Sequence, residues 1–265
     1  GATKVSEIDE MTMIHIPAGE FTMGIEEDIV FTECQRHRAD CDPSWFYDVK
    51  PPHQVYLNSY WIDQTEVTNK MFSKCIENGN CQPLNRDEGL DDPMFNDFPV
   101  THVDWYNAKN YCEWAGRGLP TEAQWEKSAR GTDNRLYPWW SFFDGKLVNF
   151  CDKSCADTER ADVFFDDKVP TLAQVGSFPD GKSFYGVYDL AGNVNEWVAD
   201  WYDADYYVTS PNENPEGPPS GQYKIIRGGG WALDRVFVLS VVRIGLLPTR
   251  ISSDTGFRCV LNTSN

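Results

Sequence analysis

Eight cysteines, four histidines and two carboxylate-bearing loops are the residues of this 265-residue chain whose types could do chemistry. Cys34 and Cys41, Cys75 and Cys81, and Cys151 and Cys155 are close pairs in sequence, and Cys112 and Cys259 remain. Zinc would need thiolates and imidazoles at tight spacing, but C-x₂-C is absent. His15, His37, His53 and His102 do not cluster with cysteines. His53 and His102, beside strand and helix starts, suit structural hydrogen bonds. Disulfides and an oxidising compartment are therefore expected. Eight cysteines allow on the order of a hundred connectivities, and nearest-neighbour pairing is only one of them. The carboxylates offer different chemistry. Asp189 and Glu196 bracket an irregular Leu-Ala-Gly-Asn-Val-Asn stretch, and Asp167 lies in Phe-Phe-Asp-Asp-Lys-Val-Pro. Hard cations such as calcium take carboxylate and carbonyl oxygens from such loops. The alternative is that Asp189 and Glu196 cap turns or pair with arginines.

The net charge of −18 argues against nucleic acid and anionic membrane surfaces as partners. No apolar run is long enough to span a bilayer. Gly1-Ala2-Thr3-Lys4 has no apolar signal core, so the expectation is a secreted or cell-surface protein whose signal has been removed.

The elements that must position these residues are short. Residues 11–24 suggest two strands about a Pro17-Ala18-Gly19 turn, and 25–52 read as charged and irregular. A strand is expected at His53–Leu57, with Tyr60–Asp63 continuing its sheet. Thr68 caps a helix carrying Met71, Phe72, Cys75 and Ile76, ended by Gly79. Residues 82–98 read as loop. Asp104 caps a second helix that buries Ala108, Tyr111, Cys112 and Ala115 and stops at Gly116. Thr121 and Gln124 fit a capping box, with Gly131 past the end of that third helix. Residues 132–185 show few periodic segments, which suits a stapled or metal-holding loop. One α+β domain over residues 1–265, rich in loops, is expected.

MIHIPAGEFTMG, PVTHVDWYNAKNYCEWAGRGLPTEAQWEKSARG, GVYDLAGNVNEW, IIRGGGW and GFRC occur in this order over residues 11–260. The set resembles the formylglycine-generating enzyme, or sulfatase-modifying factor, family. The resemblance implies a C-type-lectin-like fold with little regular secondary structure and a Cys112–Cys259 disulfide. It implies a structural calcium held by the Asp189 and Glu196 side chains and the Gly192 and Val194 carbonyls. A second site would use Asn149, Phe150, Asp167 and Val169. The family's enzymes oxidise a sulfatase cysteine with copper held by two cysteines. Those positions fall on Leu233 and Val238, which supply no thiolate. Another branch forms sulfur–carbon bonds with iron on a histidine triad, which four scattered histidines do not supply. Neither copper nor iron, and no catalytic residue, is therefore expected.

Residues 232–255 stand apart. They contain no Lys, Glu, Gln, Met or Trp, types that make up about a fifth of the rest of the chain. As a pattern, VFVLSVV and IGLL resemble a buried strand pair. In the family, however, this region lines a polar surface cleft. Trp231, Ser240, Arg243, Pro248 and Gly256-Phe257-Arg258 keep the family framework. One branch of the family comprises the variable proteins of diversity-generating retroelements. There an error-prone reverse transcriptase randomises adenines, and Asn-type codons cannot become the five missing types. The resemblance thus implies a variable ligand-binding segment over 231–255. Its contact residues would be Trp231, Ala232, Leu233, Asp234, Val236, Phe237, Val238, Val242, Ile244, Leu246, Leu247, Arg250, Ser252, Ser253 and Asp254. An exposed apolar cluster with a polar rim suits a protein or peptide ligand on a host or neighbouring cell. Such a protein would be lipid-anchored at a bacterial surface. Two other functions stay open: a family enzyme of divergent chemistry, and a catalytically dead paralogue that binds a partner protein.

Overall fold

The computed structural model describes residues 1–84, 92–155 and 161–263. Among these described residues there are three small sheets and one helix buried along its whole length. The first sheet has the order β1 (Thr3–Val5), β2 (Thr12–Ile16), β5 (Tyr60–Asp63), β10 (Val260–Asn262), all antiparallel. The second is the pair β3 (Gly19–Met23) and β4 (His53–Leu57). The third runs β8 (Ile244–Leu246), β7 (Lys224–Arg227), β6 (Asn195–Trp201), β9 (Thr255–Phe257), with β6 and β9 parallel.

The two strands expected about Pro17-Ala18-Gly19 are present, and they join different sheets, β2 the first and β3 the second. One expectation about pairing is corrected. The strand β5 does not continue the sheet of β4; it lies between β2 and β10. A short turn lets the chain change sheets in both places, because each strand buries a different neighbour. Residues 25–52 are not irregular throughout either. Glu27–Gln35 forms α1, burying Val30, Glu33 and Cys34, and a 3₁₀ turn spans Pro43–Val49. Among residues 82–98, positions 85–91 lie outside the described residues, and Pro93–Phe95 makes one 3₁₀ turn.

The expected caps are present. Thr68 accepts from the Met71 N–H at the start of α2 (Asn69–Glu77), and Asp104 accepts from Asn107 N–H at the start of α3 (Trp105–Trp114). Thr121 and Gln124 form a reciprocal box at the start of α4 (Glu122–Arg130). A cap of this kind is worth about 1 kcal/mol. All nine residues of α4 are buried, so each of its charges must be answered inside the protein. Glu126 pairs with Arg130 and Arg227, and Glu122 with Arg227 and Arg243. Lys127 donates to the carbonyls of Pro17 and Gly19. The helix therefore anchors the C-terminal segment by two arginines.

Every cysteine is bonded: Cys34–Cys41, Cys75–Cys81, Cys112–Cys259 and Cys151–Cys155. The zinc alternative lapses for want of a free thiolate. Cys112–Cys259 lies in a core with Phe72, Tyr111, Trp197 and Phe257 and ties α3 to the turn between β9 and β10.

Candidate functional site: a cleft beside the 231–255 segment

The segment begins at a glycine turn. Gly228 and Gly229 take positive φ of 91° and 71°. A Cβ on Gly229 would stand 2.7 Å from the Phe237 carbonyl oxygen, so only glycine lets the returning chain approach so closely. Two buried arginines then clamp the loop. Arg227 donates to the Ser240 and Val241 carbonyls at 2.8 and 3.2 Å while holding Glu122 and Glu126. Arg243 donates through Nε and Nη2 to Glu122 at 2.7 and 3.0 Å and through Nη1 to the Asp48 carbonyl at 2.9 Å.

This clamp divides the segment. Val236, Val238 and Val242, expected in the exposed cluster, are 1%, 0% and 3% exposed and belong to the core. They pack with Val30, Phe46, Val49, Tyr137 and Phe150. The physical reason is that VFVLSVV is neither strand nor helix but a succession of turns. Its valines fold inward under α1, where each gains about 1.5–3 kcal/mol over exposure. Trp231, Ala232, Leu233, Asp234, Phe237, Ile244, Leu246, Ser252 and Asp254 are half-buried, and Leu247, Arg250 and Ser253 are exposed. Ile251, not among the expected contacts, is also exposed. Ile244–Leu246 is an edge strand against β7.

Of the half-buried residues, Leu233, Asp234 and Phe237 line a cleft of about 560 Å³, which the others do not reach. One wall is Leu233 to Phe237. The opposite wall comes from the Cys34–Cys41 loop, with His37, Arg38 and Asp40, together with Trp45; residues 161–164 close the end. Arg38 forks onto Asp40 with two bonds of 2.6 Å and also pairs with Asp234. Its guanidinium lies 5.0 Å above the Trp45 ring, and Trp45 meets Phe237 at 5.7 Å. Arg235 pairs with Asp162 and approaches His37 Nδ1 at 3.0 Å. The floor is thus a lattice of paired charges, and the rim carries Val163 and Phe164, 69% and 84% exposed. Sequence reasoning missed His37, Arg38, Trp45 and Phe164. The one signal was a disulfide pair enclosing a charged Gln-Arg-His-Arg-Ala-Asp string.

At the two positions implied for copper, Leu233 is half-buried and Val238 fully buried. Neither carries a metal-ligating atom and all eight cysteines are in disulfides, so these residues do not fit copper.

The expected calcium residues lie on loops tied to the start of this segment: Cys151 N–H donates to the Leu233 carbonyl and Trp231 N–H to the Asn193 carbonyl. Asn193 laces the two loops together: its Nδ2 donates to Glu66 Oε1 at 2.9 Å, and its Oδ1 accepts from Asn149 Nδ2 and Ala173 N–H. A Cβ on Gly192 would fall 2.1 Å from the Asn149 carbonyl oxygen. Asp189, with φ of 58°, accepts from Gly176 N–H at 2.6 Å. Glu196 is fully buried and takes two 2.6 Å bonds from Arg258 and one of 2.9 Å from Trp125 Nε1. That is the arginine-paired role left open above. Val194 and Phe150 are also fully buried. In the other loop Ser154 Oγ reaches both Asp167 Oδ1, at 2.9 Å, and the Val169 carbonyl, at 3.2 Å. Burial pushes the Asp167 carboxyl up to about 6. Asn149 Oδ1 and Asp167 Oδ2 are buried without a hydrogen-bond partner. Among the described residues no three His, Cys, Asp or Glu side chains gather to hold a metal. Any cation here would therefore need amide and carbonyl oxygens as well.

The sequence pattern of the sulfatase-modifying factor enzyme 1-like domain matches residues 2–263. The inactive C-alpha-formylglycine-generating enzyme 2 of Mus musculus is 34% identical over 308 residues, covering 97% of this chain and 87% of that protein. The serine/threonine-protein kinase pkn1 of Chlamydia caviae is 33% identical over 231 residues, covering 80% of this chain. The chain spans 34% of the length of that kinase and 38% of the pkn1 kinases of Chlamydia pneumoniae and Chlamydia trachomatis. Among solved structures, Treponema denticola variable protein 1 shares the fold with a TM-score of 0.72, at 22% identity and 99% coverage of both chains. The expected α+β, C-type-lectin-like fold of this family is thereby established.

Proposed function

The chain belongs to the sulfatase-modifying factor enzyme 1-like family, and from that premise we propose that it is a non-enzymatic ligand-binding protein. Its scaffold displays a diversified C-terminal site, as in the variable proteins of diversity-generating retroelements. The observation that carries this reading is the division of residues 231–255. Arg243 and three valines are buried in the framework, while Leu233, Phe237, Ile244, Leu246 and Leu247 remain accessible. Contacts can then change without unfolding the core. Supporting it, the positions that the family resemblance implies for the copper thiolates carry Leu233 and Val238, and all eight cysteines are in disulfides. The likeness to a protein named as inactive and the fold shared with one named as variable point the same way. An apolar cleft with paired charges in its floor suits a protein or peptide on a host or neighbouring cell. A lipid-anchored place at the cell surface is part of the same proposal.

Calcium is proposed as a structural ion of the two loops. The orphaned Asn149 Oδ1 and Asp167 Oδ2 are hard oxygen donors that fit it, with the Val169 carbonyl beside them. Elemental analysis of the purified protein is expected to return calcium, with copper and iron far below one equivalent. Incubation with a cysteine peptide from a sulfatase is expected to give no aldehyde. Stoichiometric copper together with aldehyde product would overturn the non-enzymatic assignment.

A further inference from the structure

The cleft offers a carboxylate to a ligand and keeps its two arginines occupied. Asp40, Asp162 and Asp234 line it, against Arg38 and Arg235. Each nitrogen of the Arg38 guanidinium already donates to a carboxylate: Nε and Nη2 to Asp40, Nη1 to Asp234. Arg235 is 9% exposed, bonded to Asp162 and His37, and lies over the Phe143 and Phe165 rings at 4.9 and 5.1 Å. An anionic ligand would have to break these pairs to reach a positive charge, and each break would strand a carboxylate. Asp40 is placed differently. Its side chain is 69% exposed. Each of its oxygens takes one bond from Arg38, and an ionised carboxylate has about four lone-pair sites, so it can accept from a further donor.

Apolar surface shares the cleft with that carboxylate. Trp45 carries Arg38 on its ring and meets Phe237, and Phe164 stands 84% exposed at the end. We propose that the cleft takes a basic segment of a partner protein. A large apolar side chain of that segment sits among Trp45, Phe237 and Phe164, and a neighbouring Lys or Arg pairs with Asp40. The inference rests on the cleft being the ligand site and goes further by fixing the partner's charge. Charge complementarity carries it at two ranges. In contact, the three Asp of the described lining outnumber the two Arg, and aromatic rings accept an ammonium or guanidinium on their faces. At a distance, the net charge of −18 draws a basic partner in and repels an acidic one.

The test is selection of a phage-displayed random peptide library on the full chain, followed by dissociation constants for the selected peptides as synthetic probes. Wild type, Phe237→Ser and Asp40→Asn are compared, with near-UV circular dichroism to check folding. Leu233→Ser takes the place of Phe237→Ser should the latter not fold. Selected sequences are expected to place Lys or Arg beside Leu, Phe or Trp. Phe237→Ser is expected to weaken them at least about tenfold, as loss of an apolar anchor does. Asp40→Asn is expected to weaken them about two- to fivefold, the range of an exposed ion pair. Raising the ionic strength from about 0.01 M to about 0.15 M, which cuts the Debye length from about 30 Å to about 8 Å, is expected to weaken them too. Acidic or uncharged peptides that need Phe237, or affinities indifferent to Asp40→Asn or to salt, would overturn the basic partner and leave the ligand site standing. Basic peptides that bind Phe237→Ser as well as wild type would report only the net charge and overturn the cleft as their site. No peptide dependent on Phe237 or Leu233 would remove the peptide-binding reading of the cleft and this proposal together.

Discussion

Replacing Arg243 by Leu is expected to cost about 3–5 kcal/mol of folding stability, the range for stripping one partner from a buried ion pair. Arg243 is 4% exposed and answers Glu122 with two bonds, the Asp48 carbonyl with a third and the Asp203 carbonyl with a fourth. Its guanidinium also lies 4.2 Å over the Tyr207 ring. Leu cannot replace any of these donors, and Glu122 would keep only its 3.1 Å contact with Arg227. Leu247→Ser and Ile251→Ser, at exposed positions of the same segment, are expected to stay within about 0.5 kcal/mol of wild type. Urea denaturation midpoints of the three variants check this contrast. Equal losses would mean that the segment is one packed unit, with no separable surface.

Removing the Cys112–Cys259 disulfide as the double Ala variant is expected to cost about 5 kcal/mol, because the chain-entropy term grows with the loop it closes. The separation is 147 residues, against 7 for Cys34–Cys41, where the same model gives only about 2 kcal/mol. Packing adds to the difference. Cys112 and Cys259 are both fully buried beside Tyr111 and Phe257, whereas Cys41 is half-buried. Thermal unfolding of the two double variants should therefore separate global from local roles. Loss of Cys112–Cys259 lowers the whole transition, while loss of Cys34–Cys41 leaves the core transition nearly in place. A larger loss from Cys34–Cys41 would contradict this ranking.

Short-range signals in the sequence were legible, and long-range ones were not. Thr68, Asp104 and the Thr121–Gln124 box act within one helical turn, so residue type and spacing suffice to place them. The disulfide partners came out as expected, three from proximity and Cys112–Cys259 from the family pattern. By contrast, nothing local tells β2 and β3 to join different sheets. Helix α1 escaped notice because Glu26 supplies no side-chain cap and its apolar residues make a weak face. Val236, Val238 and Val242 were misplaced on the surface because a run of turns has no period from which burial can be inferred. The second wall of the cleft was invisible for a related reason. Arg38 and Asp234 meet across 196 positions, and each alone resembles an ordinary solvated charge.

Sequencing this gene from many isolates tests the central claim most directly. The diversified-site account predicts substitutions concentrated in residues 231–255, at accessible positions such as Leu233, Phe237, Ile244, Leu246 and Leu247. Arg227, Arg243, Glu122 and the eight cysteines should stay fixed, and Lys, Glu, Gln, Met and Trp should stay absent from 232–255. Variation in that segment no greater than in the rest of the chain would contradict it.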